Sequence, residues 1–204
     1  MKKIVIYMLY SSLFLFSPHV WASETRGNDA MYKDSKAWQD IHFWEGAAGG
    51  LLFHELGHIV VGMTYGGSPQ LNRGSIVYPN HSFTRQASMR VSSAGFQAQW
   101  LLSELSFATL KDNDGMFSPR SYQGAIAMHL AISTAYLIRL KDMPTSDIYA
   151  ASKTSHVSRN QLAWAVFLPA ALDAYRLMGN DVPAWVAHLS MGIKGVEFGY
   201  IWQF

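Results

Sequence analysis

The chain has 204 residues, half of them hydrophobic and only 15% charged, against roughly 25% charged in an average soluble domain. That composition excludes a disordered chain, and the absence of cysteine excludes disulfide staples, thiolate metal sites and cysteine nucleophiles. Sixteen basic residues against fourteen acidic ones leave a net charge of +2 with no run of like charge, so nucleic acid is not an expected partner.

Residues 1–22 read as an export signal: Lys2 and Lys3 precede an apolar run, and Val20-Trp21-Ala22 resembles a cleavage site. The run is short for a spanning helix, which needs about 20 residues; an uncleaved anchor is the alternative. Export and a lysine-led start point to a bacterial cell-envelope protein, with the inner membrane or its periplasmic side as the expected place. Residues 23–40 form a polar lead-in, and residues 41–204 are expected to make one domain.

Residues 41–65 carry long apolar stretches, lack proline and end at Gly66-Gly67-Ser68-Pro69, which predicts a helix with a sharp stop. Gly46, Gly49 and Gly50 weaken its intrinsic helicity but allow another helix to come close. Residues 70–90 predict a small β-hairpin, with strand-like pieces at 75–78 and 87–91 around the turn Pro79-Asn80-His81-Ser82. Residues 94–110 are helical, and residues 111–115 form a polar loop. Residues 122–140 are the most lipid-like stretch, with His129 and Arg139 as the only ionisable groups.

Residues 144–159 read as a polar connection. Residues 161–178 predict a helix that is apolar apart from Asp173 and Arg176, with Pro169 inside it. A last short helix is expected over 182–191. In the tail, Val196, Phe198, Tyr200, Trp202 and Phe204 alternate as in a strand. The expected fold is mainly α, a membrane-associated helical bundle around a zinc-binding helix, with a small β-hairpin and a short C-terminal strand.

The chemistry lies in His54-Glu55-Leu56-Gly57-His58, an H-E-x-x-H sequence on a predicted helix. Histidines four apart share one helical face, so both imidazoles can bind one zinc ion. The glutamate beside the first histidine can take a proton from a water that zinc has acidified to a pKa of about 7. A purely structural role fits poorly, because a buried unpaired glutamate is costly. Zinc is therefore the expected cofactor, with Glu55 as the catalytic base and His54 and His58 as ligands.

A catalytic zinc site needs a third protein ligand and an open fourth position. Asp173, alone in an apolar segment four residues after Pro169, is the first candidate. Glu104, at a spacing zinc peptidases also allow, and His129, which suits a packed core role equally well, are the others.

The motif, followed by a hairpin and then Ala94-Gly95-Phe96-Gln97-Ala98-Gln99, resembles the site-2 protease family of intramembrane zinc metalloproteases. In that family a Gly-Pro-x-x-Asn segment opens the helix after the hairpin. Gly95 and Gln99 stand at its first and last positions, with Phe96 in place of the proline. The resemblance implies that Gly95 and Gln99 bind substrate. It also implies that Asp173, after Pro169, completes the zinc site, with Ala174 where the family has glycine. The implied activity is hydrolysis of peptide bonds in or beside a lipid bilayer, on a peptide or membrane-protein substrate that adds to the hairpin edge as a strand. Two other readings are a noncatalytic envelope protein stabilised by a metal and a soluble periplasmic metallopeptidase that uses Glu104.

Overall fold

The computed structural model describes residues 36–72, 75–112 and 115–180. The export signal, most of the lead-in, the helix expected at 182–191 and the C-terminal strand lie outside the described residues. Those described form five helices and a two-stranded antiparallel sheet: α1 (Ile41–Thr64), β1 (Gln70–Asn72), β2 (Ser75–Val77), α2 (Arg85–Asp112), α3 (Pro119–Ile138), α4 (Asp147–Ser155) and α5 (Arg159–Leu177).

Each helix starts where a short polar side chain satisfies free backbone N–H groups. Asp40 accepts from the amide of His42 at 2.9 Å to open α1. Ser118 does so for α3, with Pro119 in the first turn. Ser158 and Gln161 form a reciprocal capping box on α5. At the other end of α1 the amide of Gly67 bonds the carbonyl of Gly62, and Gly66 has φ of +81°, a conformation in which a side chain is strained.

α1 packs against α2 and α3, α3 packs against α2 and α5, and α4 bridges α2 and α5. The contact between α1 and α3 is close: a Cβ on Gly46 would overlap the Ser121 carbonyl, and one on Gly124 would overlap the Phe43 carbonyl. The inward face of α1 is Phe43, Ala47, Gly50, His54, His58 and Gly62. Its outward face is also apolar, with Ile41, Trp44, Leu52, Leu56, Val60 and Met63 exposed. No helix among the described residues is long and apolar enough to cross a membrane. Residues 122–140, lipid-like in sequence, lie within α3 and the short turn after it, and α3 is buried on most sides by other helices.

Two sequence expectations are corrected. The hairpin pairs Gln70 with Val77 and Asn72 with Ser75, whereas residues 87–91 belong to α2. Their apolar positions fit a helix better than a strand, since Ala87, Val91 and Ala94 are buried at spacings of one helical turn. The polar connection at 144–159 holds α4, which is capped by Ser146 and buries Ile148 and Ala151.

Candidate metal centre

His54 and His58 project from successive turns of α1 and are both buried. Their Nε2 atoms lie 3.2 Å apart. Asp147, the first residue of α4, sets one carboxylate oxygen against each: Oδ2 is 3.5 Å from Nε2 of His54, and Oδ1 is 3.5 Å from Nε2 of His58. One ligand atom from each of these three residues lies within 4.8 Å of the others.

The surroundings hold these groups in place. Nδ1 of His58 meets the Val91 carbonyl at 2.7 Å, an acceptor, so that nitrogen carries the hydrogen. The His54 ring stands edge-on to Phe96, and Phe96 stands edge-on to Tyr136. Tyr136 donates its hydroxyl hydrogen to Oδ2 of Asp147 at 2.6 Å. Gly95 faces the convergence point: a Cβ there would come within 2.7 Å of Nε2 of His54 and would overlap Nε2 of His58 as well. The Asp147 side chain keeps 27% of its exposure, so the cluster reaches solvent on that side.

Burial disfavours the charged form of His58, but the charge and hydrogen bond of Asp147, the Val91 carbonyl and the charge of Glu55 outweigh it and hold its pKa at about 9. Burial alone would raise the Asp147 pKa; His58 and His54 instead hold it well below the usual carboxylate range. Burial pushes the Tyr136 hydroxyl well up, with Asp147 adding to the effect. Two imidazole lone pairs and a carboxylate cannot converge without a positive charge between them; in metal-free protein a proton supplies it. A divalent cation that prefers nitrogen and oxygen ligands suits the same donor set, and the bare Cα of Gly95 leaves room for it.

Glu55 is half-buried beside the first histidine, near enough for its charge to raise the pKa of His58 and of the Tyr78 hydroxyl. Tyr78 donates to the His58 carbonyl at 2.6 Å, which fixes the end of the hairpin against α1.

Asp173, the expected third ligand, is not brought to the histidines. It is buried between α2 and α3, where Oδ2 accepts from Ser103 and meets Nδ1 of His129 at 2.7 Å. The reason is that α5 packs chiefly on α3, so its inward carboxylate meets that helix. His129 is thereby also placed away from the cluster. Glu104 pairs with Arg176 at 2.8 Å. Gln99, expected to face substrate, is wholly buried in the core. Gly95 lies against the histidines themselves.

Asp147 and Tyr136 were missed in the sequence. The available signal was Ser146-Asp147, a capping serine followed by an acid, as at a helix start. No protein-family model, curated protein or solved structure matches this chain.

Proposed function

We propose that the chain is a zinc-dependent metalloprotease, with His54, His58 and Asp147 as ligands and Glu55 as general base. The observation that carries this reading is the convergence of two imidazoles and one carboxylate around a helix whose sequence places Glu55 beside the first ligand. When bound, zinc supplies Lewis acidity and lowers the pKa of a water to about 7. His54 and His58 hold the metal through Nε2, and Asp147 adds a negative charge oriented by Tyr136. With three protein ligands, a bound zinc would keep one position for water or substrate, and the cluster reaches solvent beside Asp147. Glu55 accepts the proton of the attacking water and returns it to the leaving amine. The resemblance to the site-2 protease family supports the same chemistry through the five-residue motif, with Asp147 in the role expected of Asp173.

The hairpin supports a peptide substrate. β1 is exposed along its length, and Tyr78 ties the hairpin to His58, so an extended peptide added at a strand edge would run beside the centre. The outward apolar face of α1 supports a lipid bilayer as the surface on which this export-signal-bearing protein works. Leu52→Glu with Val60→Glu is expected to reduce flotation with phospholipid vesicles; unchanged flotation argues against the bilayer.

Glu55→Gln tests the catalytic assignment. It keeps the side-chain shape and is expected to retain zinc while lowering peptide hydrolysis by about 10²–10⁴-fold. Equal turnover by this variant and wild type would remove Glu55 from the mechanism.

A further inference from the structure

Five buried polar atoms have no hydrogen-bond partner among the described residues: Nδ1 of His54, both amide atoms of Gln99, Oγ of Ser133 and Oδ1 of Asp173. The Asp173 oxygen has the Arg176 guanidinium 3.7 Å away; the other four lie in the middle of the bundle. Gln99 and Ser133 have no exposure, and leaving such groups unpaired is costly. The helix register brings them together. α2 and α3 are joined at one level by the Phe96–Tyr136 ring contact and at another by Ser103 and His129, which share Oδ2 of Asp173. Gln99 lies three residues after Phe96 and four before Ser103. Ser133 lies three residues before Tyr136 and four after His129. The two therefore occupy facing positions between those levels.

His54 belongs to the same layer. Its ring rests against Phe96, one turn from Gln99 on α2. On α1 it is one turn beyond Gly50, which abuts Ala125 and Met128 of α3, so it is level with the turn of α3 that leads to Ser133.

We propose that buried water fills this layer, held by Gln99 and Ser133, and accepts the Nδ1 hydrogen of His54. Water suits the set because it both donates and accepts, and the site offers a ring nitrogen, an amide oxygen that accepts, an amide N–H₂ that donates and a hydroxyl that does either. More than one molecule is expected, since the amide, the hydroxyl and the ring nitrogen together can make more hydrogen bonds than the four that one water offers. Buried waters of this kind typically make about three hydrogen bonds to otherwise unsatisfied groups. The consequence is a fixed tautomer: with the hydrogen on Nδ1, Nε2 of His54 presents a lone pair toward Asp147 and Gly95. Ligating histidines commonly have such a partner on their other nitrogen. His58 uses the Val91 carbonyl, and water performs the same task for His54. Gln99 and Ser133 are thus positioning residues.

The water site stands without the metal; only the affinity arm below rests on the metalloprotease reading. A crystal structure at about 1.5 Å resolution is expected to show water within about 3.2 Å of Nδ1 of His54, of the Gln99 amide and of Ser133 Oγ. Gln99→Leu is expected to remove that density and weaken zinc binding by about 10–100-fold, the usual effect of losing such a partner. If Gln99→Leu does not fold, Ser133→Ala removes one water ligand with little change of volume and is expected to shift affinity in the same direction. Zinc-bound wild type without the water, or zinc affinity unchanged in the folded variants, overturns the inference. Wild type that shows the water but takes up no zinc supports the water site and overturns the metal reading alone.

Discussion

Tyr136 and Asp147 are joined at 2.6 Å by a hydrogen bond between the buried side of α3 and the first residue of α4. That contact aims the acid that, among the described residues, faces both histidines. Tyr136→Phe removes it at nearly constant shape and is expected to weaken zinc binding by about 10–100-fold. Competition titration against a chromogenic chelator measures this, and unchanged affinity would show that α4 orients Asp147 unaided.

The two aspartates should separate cleanly. Asp147→Asn removes an anionic ligand and is expected to lower zinc affinity at least about tenfold in protein that still folds, and to remove the stability that its pairing with His58 contributes. Asp173→Ala leaves Ser103 and His129 without their shared acceptor in the core and is expected to destabilise the fold by about 3–5 kcal/mol while the folded fraction still binds zinc. Urea denaturation alongside zinc titration of both variants distinguishes them. If Asp173→Ala instead abolished zinc binding in folded protein, the ligand assignment would return to the aspartate of α5.

Gly95→Ala is a more local probe. The added methyl meets Nε2 of both histidines, so zinc uptake is expected to fall below a tenth of an equivalent while far-ultraviolet circular dichroism stays helical. Elemental analysis after reconstitution gives the answer.

Acid–base linkage gives a further prediction. Binding zinc displaces the proton from His58, whose pKa stands at about 9 in the metal-free protein. Apparent affinity is therefore expected to rise about tenfold per pH unit until about pH 9 and then level off. In the metal-free protein the raised His58 pKa contributes stability below its unfolded value of about 6.5 and loses it as pH rises through about 9. The lowered pKa of Asp147 contributes above about pH 3.9 and loses that contribution in acid. The melting temperature of metal-free protein should accordingly be highest between about pH 4 and 6.5. Calorimetry across pH tests this, and a flat profile would contradict it.

Helix ends were legible where a local signal decides them. Gly66-Gly67-Ser68-Pro69 stops α1. The first turns of α2 were not, because Ala87-Ser88-Met89-Arg90-Val91 alternates like a strand over five residues and shows its helical period only once Ala94 is included. The histidine pair was legible because its spacing is local to one helix. The third carboxylate was not. Asp173 stands out in sequence because it is isolated among apolar residues, yet His129 and Ser103, on other helices, take one of its oxygens. Asp147 sits in a polar stretch where an acid attracts no notice. Only the docking of α4 gives it its role.

The placement of Asp147 has a kinetic consequence. Two groups of the centre come from one continuous helix, but the third comes from a segment that follows α2 and α3 in sequence. Closing that long loop costs chain entropy that local helix formation does not. The pair on α1 can form early, whereas the complete triad exists only after α3 and α4 have docked. In a refolding experiment, capture of zinc by all three groups should therefore lag behind the recovery of helical signal, which makes the metal a clock for the last step of assembly.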